Sequence, residues 1–205
     1  MFRFPKKFSL TYVLIALNIA VYVFTSIVGG NFIVTGMEPI GIYGQVNDLV
    51  IYRGYYWQLF TSMFVHANIV HLLGNMLFLL IFGLRAEELF SAKGYLTTYF
   101  LSGLAGNLLT LLLTPLFRVD FISVGASGAI FGVFGAATLY IRRTTGQSMI
   151  GALMYAFFLL MISIGPNVNI AAHLGGLAVG LAIGYLLASR RKPRPRYQYV
   201  FKYSA

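Results

Sequence analysis

A chain of 205 residues that is 59% hydrophobic and only 10% charged, with a mean hydropathy of +0.79, has too little polar surface to coat a water-soluble globule and belongs in lipid. The absence of cysteine excludes disulfides, thiolate metal sites and a cysteine nucleophile. The formal charge of +10 sits at the ends and between apolar stretches instead of forming a patch, which argues against nucleic acid as a partner.

The first seven residues are basic and an apolar run follows, as in a secretory signal. The run is too long for one: residues 8–28 carry no charge and lead to no convincing small-residue cleavage site, so they predict a first spanning helix. The connection over 30–57 holds Glu38, Asp48 and Arg53 among Tyr43, Tyr52, Tyr55, Tyr56 and Trp57. Such aromatic content is typical of the membrane–water boundary and predicts a loop on or partly in one leaflet. Five further spans are expected at 66–86, 94–115, 125–142, 148–164 and 168–189, followed by a basic tail at 190–205, with everything else loop or tail. The fold class is therefore an all-α, polytopic bundle of six transmembrane helices forming one domain over 1–205.

Six spans put both termini on one side. That side collects Arg3, Lys6, Lys7, Arg85, Lys93, Arg142, Arg143, Arg190, Arg191, Lys192, Arg194, Arg196 and Lys202, whereas the other has Arg53 and Arg118. Thirteen against two places both termini in the cytoplasm by the positive-inside rule, with the tail contacting lipid headgroups. The expected location is a prokaryotic cell membrane.

Polar groups inside spanning segments are costly and demand a reason. The second segment contains His71 and Asn75, spaced i and i+4 on one helix face; the fourth opens with Gly125, Ala126, Ser127 and Gly128; the sixth contains His173. All three segments run from outside to inside and carry these groups within about ten residues of their start, so the groups lie at similar depth, on the order of 5 to 15 Å below the outer surface. A serine hydroxyl needs a base to become a nucleophile, and neutral histidine is the usual one. His173 heads a stripe of small residues with Gly176, Gly180 and Gly184, and the fourth segment offers Gly125, Gly128, Gly132 and Gly135, so the fourth and sixth helices are the expected close pair. Ser127 is offset by roughly a third of a turn from the centre of its stripe, so contact with His173 is permitted but not required. Asn75 and His71 can supply donors to an oxyanion.

The run from His66 through His71 to Asn75, the Gly125-Ala126-Ser127-Gly128 motif, and Ala172-His173 with Gly176 and Gly180 together resemble the rhomboid family of intramembrane serine proteases over nearly the whole chain. The resemblance implies Ser127 as nucleophile, His173 as general base and then acid, and His71, Asn75 and the Ser127 backbone amide as oxyanion donors. It implies a dyad without a metal or cofactor, acting in the bilayer on transmembrane protein substrates near the outer end of a helix that unwinds easily. Asp120 is the one acidic residue placed to be a third member, and the dyad reading does without it. Trp57-Gln58 stands where the family commonly has Trp-Arg, which leaves the anchoring of the first loop open. His66 is expected to make a structural hydrogen bond, Arg85, Glu87 and Glu88 to form ion pairs, and Phe131 to pack beside His173. Two other classes compete: a catalytically inactive rhomboid-like binder, against which the intact Ser127 and His173 argue, and a transporter or metal carrier using His66, His71 and His173, against which the lack of intramembrane carboxylates argues.

Overall fold

The computed structural model describes residues 9–117, 122–146, 151 and 168–190; the expected fifth span, residue 151 apart, and the tail beyond 190 lie outside the described residues. In chain order the elements are α1 (Leu10–Gly29), α2 (Met37–Tyr43), β1 (Gln45–Val46), α3 (Asn47–Arg53), α4 (Gln58–Thr61), α5 (Ile69–Leu89), α6 (Ala92–Phe117), β2 (Ile122–Ser123), α7 (Ser127–Thr145) and α8 (Ile170–Ser189). Four of them, α1, α5, α6 as far as Pro115, and α8, are long and apolar enough to cross a membrane. Of the six expected spans, α7 is a helix but falls outside that set, and the fifth lies outside the described residues.

Local chemistry fixes where the helices begin. Asn68 is extended and its side chain accepts from His71 N at 2.8 Å, so α5 starts at Ile69, three residues later than expected, and His66 precedes the helix. Asn169 caps α8 in the same way, accepting from Ala172 N at 3.1 Å. The start of α1 is capped from outside itself: Glu87 on α5 accepts from Leu10 N at 2.8 Å, Thr11 N at 2.9 Å and the Ser9 hydroxyl. Glu87 is thus a cap for unpaired helix amides instead of the expected ion-pair member, because the first turn of α1 contains no acid of its own. Glu88 and Arg85 do pair, at 2.5 Å on an exposed face.

α7 is the centre of the bundle. It packs against α5, α6 and α8, and every residue from Gly128 to Ala137 is buried. Its glycines and alanines let three neighbours approach at once. Along α8, a Cβ at Gly176, Gly180 or Gly184 would collide with the α7 backbone at Gly128, Gly132 and Ala136 respectively. The small-residue stripe therefore brings the two helices together backbone to backbone. α1 packs on α5 and α2 and adds Leu14 and Tyr22 to the buried core.

The connection expected to be a plain loop contains α2, β1 and α3, and α4 follows it. β1 pairs antiparallel with β2, Gln45 opposite Ser123 and Val46 opposite Ile122, so the all-α expectation needs a two-stranded ribbon added. Seven-residue helices and two-residue strands are too short to print a hydrophobic period on the sequence, and the partner strands are far apart in the chain. Gln58 answers the anchoring question: it is fully buried, its Oε1 accepts from Val46 N at 2.9 Å, and its Nε2 donates to Gly41 O at 2.8 Å. Trp57 Nε1 donates to Ile42 O at 3.1 Å. A neutral amide thus pins the loop from beneath through backbone groups that a guanidinium, which has no acceptor, could only half satisfy.

Candidate active site

Ser127 is the first residue of α7 and His173 lies one turn into α8, so the close α7–α8 packing carries the two side chains together. His173 Nε2 lies 2.8 Å from Ser127 Oγ. The imidazole is buried, and its ring stacks on Phe131 with centroids 4.5 Å apart and planes inclined by 16°, which fixes the plane in which the nitrogen points. Phe131 sits one turn after Ser127, so one helix supplies both the hydroxyl and the plate that orients its partner. Among the described residues His173 Nδ1 has no hydrogen-bond partner; Asp120 lies outside them.

As the first residue of its helix, Ser127 has a backbone N–H with no intrahelical acceptor, at the positive end of the macrodipole. The approach to it is set by Gly125, whose φ of +116° is disfavoured for residues with a side chain. Its N–H donates to Ser62 O at 2.9 Å, and a Cβ there would come within 2.8 Å of the His71 imidazole. Glycine therefore allows the loop to lie directly against His71. Asn75 Nδ2 donates to His71 O at 2.9 Å, which engages one of its two N–H bonds and leaves the other. Ser127, His173, His71 and Asn75 all line one cavity of about 530 Å³, with Phe78 and Phe134 among its apolar walls.

His66 is excluded from that cavity. It is fully buried, its Nδ1 lies 3.1 Å from Phe64 O, and its ring meets His71 edge to face at 5.2 Å. Burial, reinforced by the neighbouring His71 and opposed by the Phe64 carbonyl, holds its pKa down to about 3. Among the described residues no group of three or more His, Asp or Glu side chains is arranged to hold a metal ion.

What sequence reasoning missed is the polar frame behind the site. Asn107, Ser62, Gln45 and Asn47 form a buried hydrogen-bonded group running from the first loop to the strand before the nucleophile. The available signal was Asn107 and Thr110 within the apolar run of α6, the same signal that singled out Asn75.

The Rhomboid domain family profile matches residues 53–190. The chain is 35% identical over 152 residues to the candidate rhomboid protease YdcA of Bacillus subtilis, covering 72% of this chain and 75% of that one. It is 38% identical over 137 residues to the Arabidopsis thaliana protein named RHOMBOID-like protein 6, mitochondrial, with coverage of 64% and 43%. It is 36% identical over 135 residues to Rhomboid-like protease 3 of Toxoplasma gondii, with coverage of 62% and 50%. The chain spans half or less of the length of the last two. Relatives from a plant, a bacterium and Toxoplasma, one of them named mitochondrial, do not support the narrower expectation of a prokaryotic cell membrane.

Proposed function

The chain belongs to the rhomboid family of integral membrane proteins, and on that premise we propose that it is an intramembrane serine endopeptidase using Ser127 and His173 as a dyad. The observation that carries this is the 2.8 Å approach of His173 Nε2 to Ser127 Oγ inside a cavity also lined by His71 and Asn75. In the reaction, Ser127 Oγ attacks a substrate carbonyl as its proton passes to His173 Nε2. The tetrahedral oxyanion accepts hydrogen bonds from the Ser127 backbone N–H, the remaining Asn75 N–H and the His71 ring. Collapse of the intermediate breaks the C–N bond, and the imidazolium returns its proton to the leaving amine. Water then attacks the acyl-enzyme with His173 again taking the proton, and Ser127 leaves with it. The substrates are transmembrane proteins, and no metal or cofactor takes part in these steps.

The proposed arrangement is one membrane domain of six spans: α1, α5, α6, α7, a span over 148–164, and α8. Both termini face the cytoplasm. The mechanism is tested by labelling purified protein with a serine-directed fluorophosphonate and by following cleavage of a transmembrane substrate in detergent. Wild type should label at Ser127 and cleave, Ser127→Ala should do neither, and His173→Ala should label far more slowly although the serine remains. Equal cleavage by wild type and Ser127→Ala would overturn the reading.

A further inference from the structure

α6 is an apolar helix that nevertheless carries Asn107, Thr110 and Thr114, spaced i, i+3 and i+7 and so on one face. Each is buried and each reaches a different part of the molecule. Asn107 Nδ2 donates to Leu59 O at 2.8 Å and to Ser62 Oγ at 2.9 Å, and the carbonyl of the same Ser62 accepts from Gly125 N at 2.9 Å. Thr110 Oγ1 accepts from Asn169 Nδ2 at 2.8 Å, and Asn169 is the cap that accepts from Ala172 N. Thr114 Oγ1 accepts from Asn47 Nδ2 at 2.5 Å, and Gln45 ties Asn47 back to Asn107 O at 3.0 Å. Backbone contact accompanies these bonds, since a Cβ at Gly106 would strike the backbone of Ala172.

Building on the proposed dyad, we infer that Asn107 and Thr110 are positioning residues that fix its two halves on one rigid helix. Asn107 holds Ser62, which holds the backbone of Gly125 two residues before the nucleophile. Thr110 holds Asn169, which starts the helix that carries His173 four residues later. The two anchors are about 4.5 Å apart along α6. The reacting atoms meet through short links to this common support as well as through α7–α8 packing. A proton transfer depends steeply on donor–acceptor distance, and displacement of about 1 Å can lower a rate roughly a hundredfold, so loosening either link slows the chemistry without removing a reacting group.

Thr110 gives the cleanest test because it does not line the cavity. Thr110→Val keeps the shape and removes the acceptor for Asn169. The rate constant for fluorophosphonate labelling of Ser127 should fall about tenfold or more, while the final labelled fraction stays at the wild-type value. On a transmembrane substrate kcat should fall with KM unchanged. Thr110→Ser, which restores the hydroxyl, should recover most of the rate, and Asn107→Leu should reproduce the slow, complete labelling. A role confined to stability would instead lower the labelled fraction at an unchanged rate constant, and that result overturns the inference, as do wild-type rates in both Thr110→Val and Asn107→Leu. Should Thr110→Val fail to accumulate in folded form, Thr110→Ala carries the same comparison. If folded His173→Ala labels as fast as wild type, the dyad reading has failed and the inference falls with it, an outcome distinct from slow labelling in the α6 variants alone.

Discussion

Asn75 has one N–H committed to its own helix and one left for the cavity, and that division gives it a definite expected weight. Loss of a single oxyanion donor lowers turnover roughly a hundredfold to a thousandfold. Asn75→Ala should therefore reduce kcat within that range and leave thermal unfolding close to wild type, since its remaining bond is a local one to the same helix; unchanged turnover would remove Asn75 from the mechanism. His66 predicts a different kind of result. Its folded pKa is held at about 3, below the ordinary 6.5, so in that interval the unfolded chain binds more protons and stability falls as the pH falls. Its contribution is fully present above about 6.5 and is lost toward 3. Replacing it with Gln should flatten the decline of melting temperature between about pH 6.5 and 4.5, as measured in detergent, and an identical slope would show that His66 is not the group responsible. Ser127, His71, Asn75 and His173 were legible in the sequence because a polar side chain in an apolar run has to be accounted for. His66 was harder to read, as its place in front of the helix depends on the Asn68 cap.

Between α7 and α8 two effects of opposite sign can be separated by one methyl group. Exchanging a helical glycine for alanine stabilises an isolated helix by about 0.8–1.0 kcal/mol. At Gly180 that added Cβ would collide with the backbone of Gly132, and overpacking costs typically 1–3 kcal/mol, occasionally more. Backbone atoms cannot step aside as a side chain can, so the collision should win: Gly180→Ala should lower the melting temperature and reduce the fraction of protein that a fluorophosphonate labels. A stabilised variant would mean that the helices have room to separate. The glycine stripe itself was readable because it repeats at helical spacing. The first loop was not: Gln58 alone gives no sign that it will accept from Val46 and donate to Gly41, because those partners are brought to it by turns that have no periodic pattern. The β1–β2 pairing was hidden for the same reason, being a contact between two dipeptides with the whole of α3, α4, α5 and α6 intervening.

At the scale of the molecule, the thirteen-to-two distribution of Lys and Arg is too lopsided for one misassigned loop to reverse. Reporter fusions at either end should place both termini in the cytoplasm, and an external C-terminus would rule out six spans. The bundle also has an uneven composition with consequences for its making. α7, continuously buried from Gly128 to Ala137, is absent from the helices apolar enough to cross alone, yet it carries the serine. During synthesis α7 leaves the ribosome before α8, which supplies one of its packed faces. Until α8 arrives, the glycine-rich surface that will hold it lies open to lipid that cannot fill it well. Pairing of Ser127 with His173 is thereby coupled to the arrival of α8: a nascent protein stopped short of it would lack both His173 and the neighbour that holds the serine helix in place, and would present to cellular surveillance a poorly anchored helix.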